Sequence, residues 1–141
     1  MILAQHALEA TLSPESVWKR WTEVATWPEW NHDLAGSSLD GAFRTGAVLS
    51  LRRAGGPVQK LVIVALEEGR SFTLEYTLLG ARITVSHHLQ PAPLGVRISQ
   101  RVEARGWSSW LAAWLEGPQW RASLPGIVRA LAKRIAGVDQ K

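Results

Sequence analysis

SFTLEYTLLGARITVSHHLQ, the stretch from Ser71 to Gln90, decides the fold of this sequence. Apolar and polar residues alternate on both sides of Gly80, which is the pattern of strands with one buried face. Glycine is a frequent turn residue, and a connection this short joins neighbouring antiparallel strands. The stretch therefore predicts an antiparallel pair of strands over 71–78 and 81–90.

The same pattern extends from this pair towards both ends of the chain. Segments separated by glycine and proline predict four more strands, over 34–40, 47–53, 58–67 and 96–105. A first strand is predicted over 2–12. No helical pattern long enough for a crossover connection interrupts the later strands, so the sheet is predicted to be an antiparallel meander.

A short amphipathic helix is predicted directly after the first strand. Ser13 is a suitable N-cap, and Pro14 suits the first helical position. Trp18 and Trp21 then follow at helical spacing. The segment Trp27–Asn31 begins with a residue before proline, which disfavours an α-helix and predicts a tight turn or a second short helix.

A long C-terminal helix is predicted after Gly106, where the apolar period changes from two to 3.6 residues. Because proline interrupts helical hydrogen bonding, Gly117-Pro118 is expected to break or kink this helix. We expect Trp110 and Trp114 to be largely buried against the concave face of the sheet. The apolar positions of the two halves are Trp107, Trp110, Leu111, Trp114 and Leu115, then Trp120, Leu124, Ile127, Val128, Leu131 and Ile135.

The composition excludes several classes of function. The chain has 141 residues, of which 46% are hydrophobic and 20% charged, as is typical of one globular domain, here spanning 1–141. It contains no cysteine, which excludes disulfides, thiolate nucleophiles and sulfur-ligated metal sites. Eight tryptophans against one tyrosine and two phenylalanines indicate either a bulky core or a cavity with flat walls.

Charge and hydropathy bear on partners and location. The net charge is +4, but the basic residues are scattered, and the group Arg129, Lys133 and Arg134 is typical of a solvated helix face. No nucleic-acid partner is therefore expected. The longest apolar run, Leu61–Leu66, is far shorter than the about 20 residues that span a bilayer, and the N-terminus shows no secretory signal. We expect a soluble, cytoplasmic protein without membrane insertion, as a monomer or homodimer.

Two motifs near the N-terminus resemble those of a known family. Ser13-Pro14-Glu15-Ser16-Val17-Trp18 is similar to the family's opening helix, and Trp27-Pro28-Glu29-Trp30-Asn31 is similar to its W-P-x-W-N turn. Gly80, the Leu89-x-Pro91 strand end and the segment 97–106 are weaker matches to its later strands. Together with the order of elements, these motifs resemble the START-like or Bet v 1-like superfamily, in particular its polyketide cyclase/dehydrase and lipid transport group (SRPBCC).

The resemblance implies a helix-grip fold of the α+β class. In this fold a seven-stranded antiparallel sheet curls around the long C-terminal helix and leaves a cavity between them. The superfamily has no single catalytic signature, and its members are variously lipid carriers, hormone or metabolite binders, aromatic-ring cyclases and chaperone cofactors. The resemblance therefore implies the fold much more strongly than the function.

Binding of a hydrophobic small molecule is the function we expect from these observations. The ligand class is a lipid, a polyketide-like compound or an aromatic metabolite. A polyketide cyclase or dehydratase acting through a cavity histidine is the first alternative. A chaperone-cofactor-like interaction module, which would show an exposed apolar patch rather than a cavity, is the second.

The inward faces of the predicted strands and helix nominate the residues of the binding cavity. Sites for apolar molecules are mostly apolar with a few convergent polar groups, and Tyr76, His87 and Gln100 are the polar residues on these faces. The nominated residues are Leu49, Leu51, Val62, Val64, Phe72, Leu74, Tyr76, Ile83, Val85, His87, Ile98, Gln100, Trp110 and Trp114.

His87 is the residue on which the enzymatic alternative depends. Alternation with Val85 and Leu89 puts it on the inward face, and no other inward side chain has an unperturbed pKa suited to acid–base catalysis at neutral pH. A structural histidine of the core is the competing interpretation. His88 points to the opposite face of the strand, so the two imidazoles are unable to share one metal ion.

The purified protein is expected to carry no nucleotide and no stoichiometric transition metal. The segment Gly41–Gly46 does not match a phosphate-binding loop, and no His, Asp or Glu residues have metal-ligand spacing. Elemental analysis of the purified protein tests the metal prediction. About one zinc or iron ion per chain would contradict it and would direct attention to His6 and His87.

Overall fold

The computed structural model describes the backbone of residues 1–139 and the side chains of residues 1–137, so the last two residues of the predicted domain lie outside it. Every predicted strand and helix is present within that range. In chain order the elements are β1 (Ile2–Ala10), α1 (Pro14–Thr22), a 3-10 helix (Val24–Glu29), β2 (Leu34–Asp40), β3 (Val48–Arg53), β4 (Val58–Glu67), β5 (Ser71–Leu78), β6 (Ala81–Ala92), β7 (Gly95–Arg105) and α2 (Ser109–Asp139).

The seven strands form one curved antiparallel sheet, in the order β1-β7-β6-β5-β4-β3-β2. Strands β2 to β7 are consecutive neighbours, so the predicted meander is confirmed. The first strand lies beside the last, where its residue Leu8 pairs with Ile98. Helix α2 packs chiefly on β1 and β7, and the predicted helix-grip architecture is confirmed.

Helix α1 forms for the reasons that its sequence indicates. The Ser13 hydroxyl accepts a hydrogen bond from the Ser16 amide at 3.2 Å, and Pro14 occupies the first turn. The buried face of the helix contains Trp18 and Trp21. The predicted second short helix is the 3-10 helix, where the Trp27 indole donates to the Trp21 carbonyl oxygen at 3.1 Å. This bond ties the Trp27 indole to the backbone near the end of α1.

Helix α2 continues through Gly117-Pro118, so of the two predicted outcomes, a break or a kink, the break is wrong. Glycine has no Cβ, and this removes part of the clash by which proline normally forces the preceding residue out of helical geometry. Beyond this point the large buried side chains of the helix are among those predicted: Leu124, Val128, Leu131 and Ile135.

The predicted burial of Trp110 and Trp114 is also wrong, because their side chains are 63% and 73% exposed. Ser108 and Ala112 face the sheet in their place. The Ser108 hydroxyl donates to the Leu79 carbonyl oxygen at 2.6 Å, which holds the start of the helix close to the β5–β6 turn. Only small side chains fit such a close approach, so the indoles lie on the opposite side of the helix.

Strand β4 has the opposite orientation from the one predicted. Val62 and Val64 are 37% and 41% exposed, while Leu61 and Ile63 are buried. Leu61 pairs with Leu49, which is also buried, so the two leucines share the inner face. Since every residue from 61 to 66 is apolar, alternation was unable to indicate which face of this strand is buried.

Among the helices within residues 1–139, none is both long and apolar enough to cross a bilayer.

Candidate functional site

A cleft of about 360 Å³ lies between α2 and strands β3, β4 and β5. The loop after the 3-10 helix and the β3–β4 turn contribute to its walls. The residues around it are Asn31, Asp33, Leu34, Leu51, Arg53, Gly56, Pro57, Val58, Gln59, Leu61, Tyr76, Glu116, Gln119, Trp120, Ser123 and Ile127. The cleft therefore occupies part of the space between sheet and helix that the sequence predicted.

The walls of the cleft are mainly apolar and its entrance is solvated. Leu51, Leu61 and Ile127 are partly or fully buried side chains of the two opposing layers. Val58 and Gln119 are exposed residues of the rim. This combination allows an apolar molecule to enter from solvent and lose most of its own contact with water.

Tyr76 and Glu116 form a polar pair in the wall of this cleft. The Tyr76 hydroxyl donates to Glu116 Oε1 at 2.7 Å, and so links β5 to α2. Burial raises the pKa of the Tyr76 phenol, and the neighbouring Glu116 raises this pKa further, while Trp120 and Arg53 oppose the rise. The phenol consequently keeps its proton at neutral pH and acts as a hydrogen-bond donor.

The indole of Trp120 offers a second polar group. Its Nε1 atom is buried and forms no hydrogen bond of good geometry in the described part of the chain, although it lies near enough to the Tyr76 hydroxyl to lower the pKa of that phenol. Buried N–H groups in proteins normally have partners. A ligand oxygen or a water molecule in the cleft would be a suitable acceptor, so this N–H group marks a position at which a polar atom is favoured.

His87 lies in an aromatic cluster outside the cleft. Its ring stacks on Phe72 with centroids 4.1 Å apart and meets the Trp21 ring edge-on at 5.3 Å. Burial lowers the pKa of His87 to about 3, so the imidazole is neutral at physiological pH. His87 is not among the residues that line the cleft. These observations favour a structural histidine over a catalyst acting on a molecule in the cleft.

The nominated cavity residues fall into three groups. Leu51 and Tyr76 line the cleft. Val62, Val64, Trp110 and Trp114 are exposed. The others are buried in the core but do not line the cleft, and for these a role in ligand binding stays a prediction: Leu49, Phe72, Leu74, Ile83, Val85, His87, Ile98 and Gln100.

Sequence reasoning missed the residues that α2 contributes to the cleft. Glu116 and Trp120 are four residues apart and continue the stripe that Ala112 and Leu124 define. A glutamate at the helical spacing of buried residues indicates a polar group on the inner face of the helix, so the sequence did contain a signal for Glu116. The three tryptophans of the same half helix obscured it, because they make the opposite face more apolar.

In the range 1–139, no three His, Asp or Glu side chains are placed to hold a metal ion together. The metal content of the purified protein stays a prediction.

Together, the fold and the cleft define a helix-grip protein with a small pocket between its sheet and its long helix. A family model described as polyketide cyclase / dehydrase and lipid transport matches residues 1–138. The chain belongs to this family, and the resemblance in its sequence motifs is confirmed. A search of curated proteins by sequence found no match.

Solved structures with low sequence identity share the fold. Protein NE0264 from Nitrosomonas europaea is 12% identical, with a TM-score of 0.75 over 95% of this chain and 94% of its own. A START superfamily protein from Mycobacterium smegmatis is 15% identical, with a TM-score of 0.67 over 96% and 97%. The di-domain ARO/CYC protein StfQ of the steffimycin biosynthetic pathway is 16% identical, with a TM-score of 0.71 over 97% of this chain and 52% of its own.

Replacing Tyr76 with phenylalanine is expected to lower the free energy of unfolding by about 1–2 kcal/mol. The change removes a hydrogen bond to a carboxylate and leaves the Glu116 oxygen without this donor. Glu116→Gln, which keeps an acceptor at the same place, is the matched control and should have the smaller effect. Urea denaturation at pH 7 measures both. Equal stability of Y76F and the unmodified protein would show that the pair does not hold α2 on the sheet.

Proposed function

We propose that the protein binds one compact apolar molecule with an oxygen substituent in the cleft between α2 and β3–β5. The observation that carries this proposal is an apolar cleft of about 360 Å³ that contains a few convergent polar groups. Sites for small molecules are usually about 300–1,000 Å³. The cleft lies near the lower end of that range, which favours a compact ligand over a two-chain lipid.

The polar groups of the cleft indicate how such a ligand would be oriented. Leu51 and Ile127 would contact its apolar body, and the Trp120 ring would offer a flat surface. A carbonyl or hydroxyl oxygen of the ligand would accept a hydrogen bond from the Trp120 N–H group, which lies beside the Tyr76 hydroxyl and forms no hydrogen bond of good geometry among the described residues. The neighbouring Tyr76–Glu116 pair would favour a ligand hydroxyl over a purely hydrocarbon end.

An enzymatic function of the same cleft is the second candidate. A carboxylate bonded to a phenol at the wall of an apolar cleft is a group that can move a proton to or from a bound molecule. The reaction class would be cyclisation or dehydration of a polyketide-like substrate, in line with the family description. Glu116 replaces His87 as the residue on which this candidate depends.

A fluorescence titration with N-phenyl-1-naphthylamine, an uncharged aromatic probe, tests the binding proposal. We expect saturable binding at one site per chain, with displacement by compact aromatic ketones. Absence of saturable binding by any neutral aromatic probe would contradict the proposal. Glu116→Gln separates the two candidates, because a binder should keep its probe affinity within a few-fold. An enzyme would lose turnover about a hundred-fold or more.

A further inference from the structure

A ridge of exposed tryptophans lies at the start of α2 on the side away from the sheet. Trp107, Trp110 and Trp114, which we call the tryptophan ridge, are 83%, 63% and 73% exposed. At about 100° per residue, Trp110 and Trp114 each lie about 160° around the helix axis from the buried Ala112. The two indoles therefore point away from the body of the domain. Scattered exposed apolar residues are ordinary, but several large ones together mark an interaction surface.

The apolar surface of the ridge continues onto the neighbouring turn. The Trp107 ring lies against Gly80, where its Cζ2 atom is 3.4 Å from the place that a Cβ would take. Leu79 at this turn is 53% exposed, and Leu115 on the helix is 49% exposed. The Ser108 hydroxyl donates to the Leu79 carbonyl oxygen at 2.6 Å. This hydrogen bond holds the helix and the β5–β6 turn together as one continuous surface.

The tryptophan ridge carries no charged residue. No Lys, Arg, Asp or Glu occurs in the sequence from 106 to 115. Arg105, before this run, forms an ion pair with Glu103 at 3.3 Å. Glu116, after it, accepts the hydrogen bond of the Tyr76 hydroxyl. Two copies of the chain are therefore able to meet through the ridge without bringing unpaired charges together, although each has a net charge of +4.

The area of the ridge matches the apolar area that a stable dimer requires. A fully exposed tryptophan side chain has about 250 Å² of surface, so the three indoles together expose roughly 500 Å². A standard interface buries about 800 Å² of each partner, of which roughly 450–500 Å² is apolar. The ridge alone would therefore supply the apolar core of a standard interface, and Leu79 and Leu115 would extend it.

We propose that the tryptophan ridge is the interface of a two-fold symmetric homodimer, in which a second copy of this chain covers it. Such dimers are the commonest oligomers, and both copies contribute the same patch. The patch must then be complementary to itself, and an uncharged apolar surface meets this condition. Homodimer interfaces are also more apolar than those between unlike proteins, which favours a second copy over a different partner. No residue of the ridge lines the cleft, so dimerisation does not depend on what the cleft binds.

Sedimentation equilibrium of the full chain tests this proposal. We expect a dimer with a dissociation constant of about 1 μM or lower, as is usual for interfaces of this size. The double change Trp110→Ala and Trp114→Ala removes two central aromatic side chains from each copy and should weaken the dimer about thirtyfold or more. Alanine is favourable at exposed helical positions, so the variant should keep its fold, as far-ultraviolet circular dichroism would show.

A matched control removes exposed apolar side chains from a different surface. Val62→Ser and Val64→Ser change the outer face of β4, and the dimer affinity should stay within about twofold of that of the unmodified protein. If the double tryptophan variant does not fold, Trp114→Gln tests the same surface and should weaken the dimer about tenfold.

Three results would overturn the proposal. The first is an unmodified chain that is monomeric at about a hundred times the expected dissociation constant. The second is a dimer of unchanged affinity in a folded tryptophan variant, and the third is equal weakening in both double variants. In the last two cases the interface between the copies would lie elsewhere on the molecule.

Discussion

Replacing His87 with phenylalanine is expected to abolish a loss of about 3 kcal/mol in the free energy of unfolding, which the unmodified protein should show between pH 7.5 and pH 4.5. The folded protein holds the pKa of His87 at about 3, whereas the unfolded chain has the ordinary value near 6.5. The unfolded state therefore binds a proton that the folded state excludes. The stability of the native protein should be highest above pH 6.5 and should fall as the pH drops from 6.5 towards 3.

The His87→Phe variant lacks this protonation and keeps an aromatic ring against Phe72. Its stability at neutral pH should be close to that of the unmodified protein or slightly higher, because a buried Nδ1 atom without a partner in the described structure is removed. Urea denaturation at several pH values measures the difference. His88→Phe, a change at the exposed neighbouring position, is the control and should retain the acid sensitivity.

Parallel pH profiles for His87→Phe and the unmodified protein would contradict the placement of His87. They would mean that the imidazole is protonated in the folded state, as a group near the cleft or in contact with water would be. Unfolding of the variant at pH 7 would contradict the interpretation of His87 as a replaceable ring of the aromatic cluster.

Replacing Ser123 with tryptophan is expected to weaken binding of the naphthylamine probe about tenfold or more. Ser123 lies on the α2 wall of the cleft, so an indole at this position would occupy the space that the probe requires. A tenfold loss corresponds to about 1.4 kcal/mol of binding free energy. The cleft is already empty space between the two layers, so the added ring should not overpack the core. The folded protein should therefore lose less stability than the about 1–3 kcal/mol that is typical of an overpacked core.

Ala122→Trp is the matched control for this experiment. Ala122 is exposed and is the neighbour of Ser123 on the same helix, so the same side chain is added outside the cleft. Its probe affinity should equal that of the unmodified protein. Equal affinities for Ser123→Trp and the unmodified protein, with both folded, would show that the probe binds elsewhere.

The sequence was sufficient to predict the order of the elements and the bounds of the strands to within two residues, because strand and helix periods are local properties. The alternation over 71–78 also placed Phe72, Leu74 and Tyr76 on the inner face correctly. The orientation of β4 was not predictable in this way. An uninterrupted apolar run has no polar face, and the choice between Leu61 and Val62 depends on pairing with β3, which is a tertiary property.

The candidate site was predicted less well than the fold, for a related reason. Apolar character alone assigned Trp110 and Trp114 to the core, but the close approach of Ser108 to Leu79 leaves room only for small residues there. Burial is decided by the space between elements as well as by hydrophobicity. Glu116 lines the cleft from a face of the helix that these tryptophans do not occupy. Its partnership with Tyr76, across 40 positions of sequence, has no local signature.

The indole N–H signals of the eight tryptophans offer the most direct measurement of ligand binding in the cleft. In a ¹H–¹⁵N NMR titration with a neutral aromatic ketone, binding should shift the Trp120 signal until about one molecule per chain has been added. Signals of Trp107, Trp110 and Trp114 should stay within the spectral error. Trp→Phe variants assign each signal. Saturable shifts confined to Trp107, Trp110 and Trp114, or an unmoved Trp120 signal at a saturating concentration of the ketone, would contradict a binding site between α2 and β3–β5.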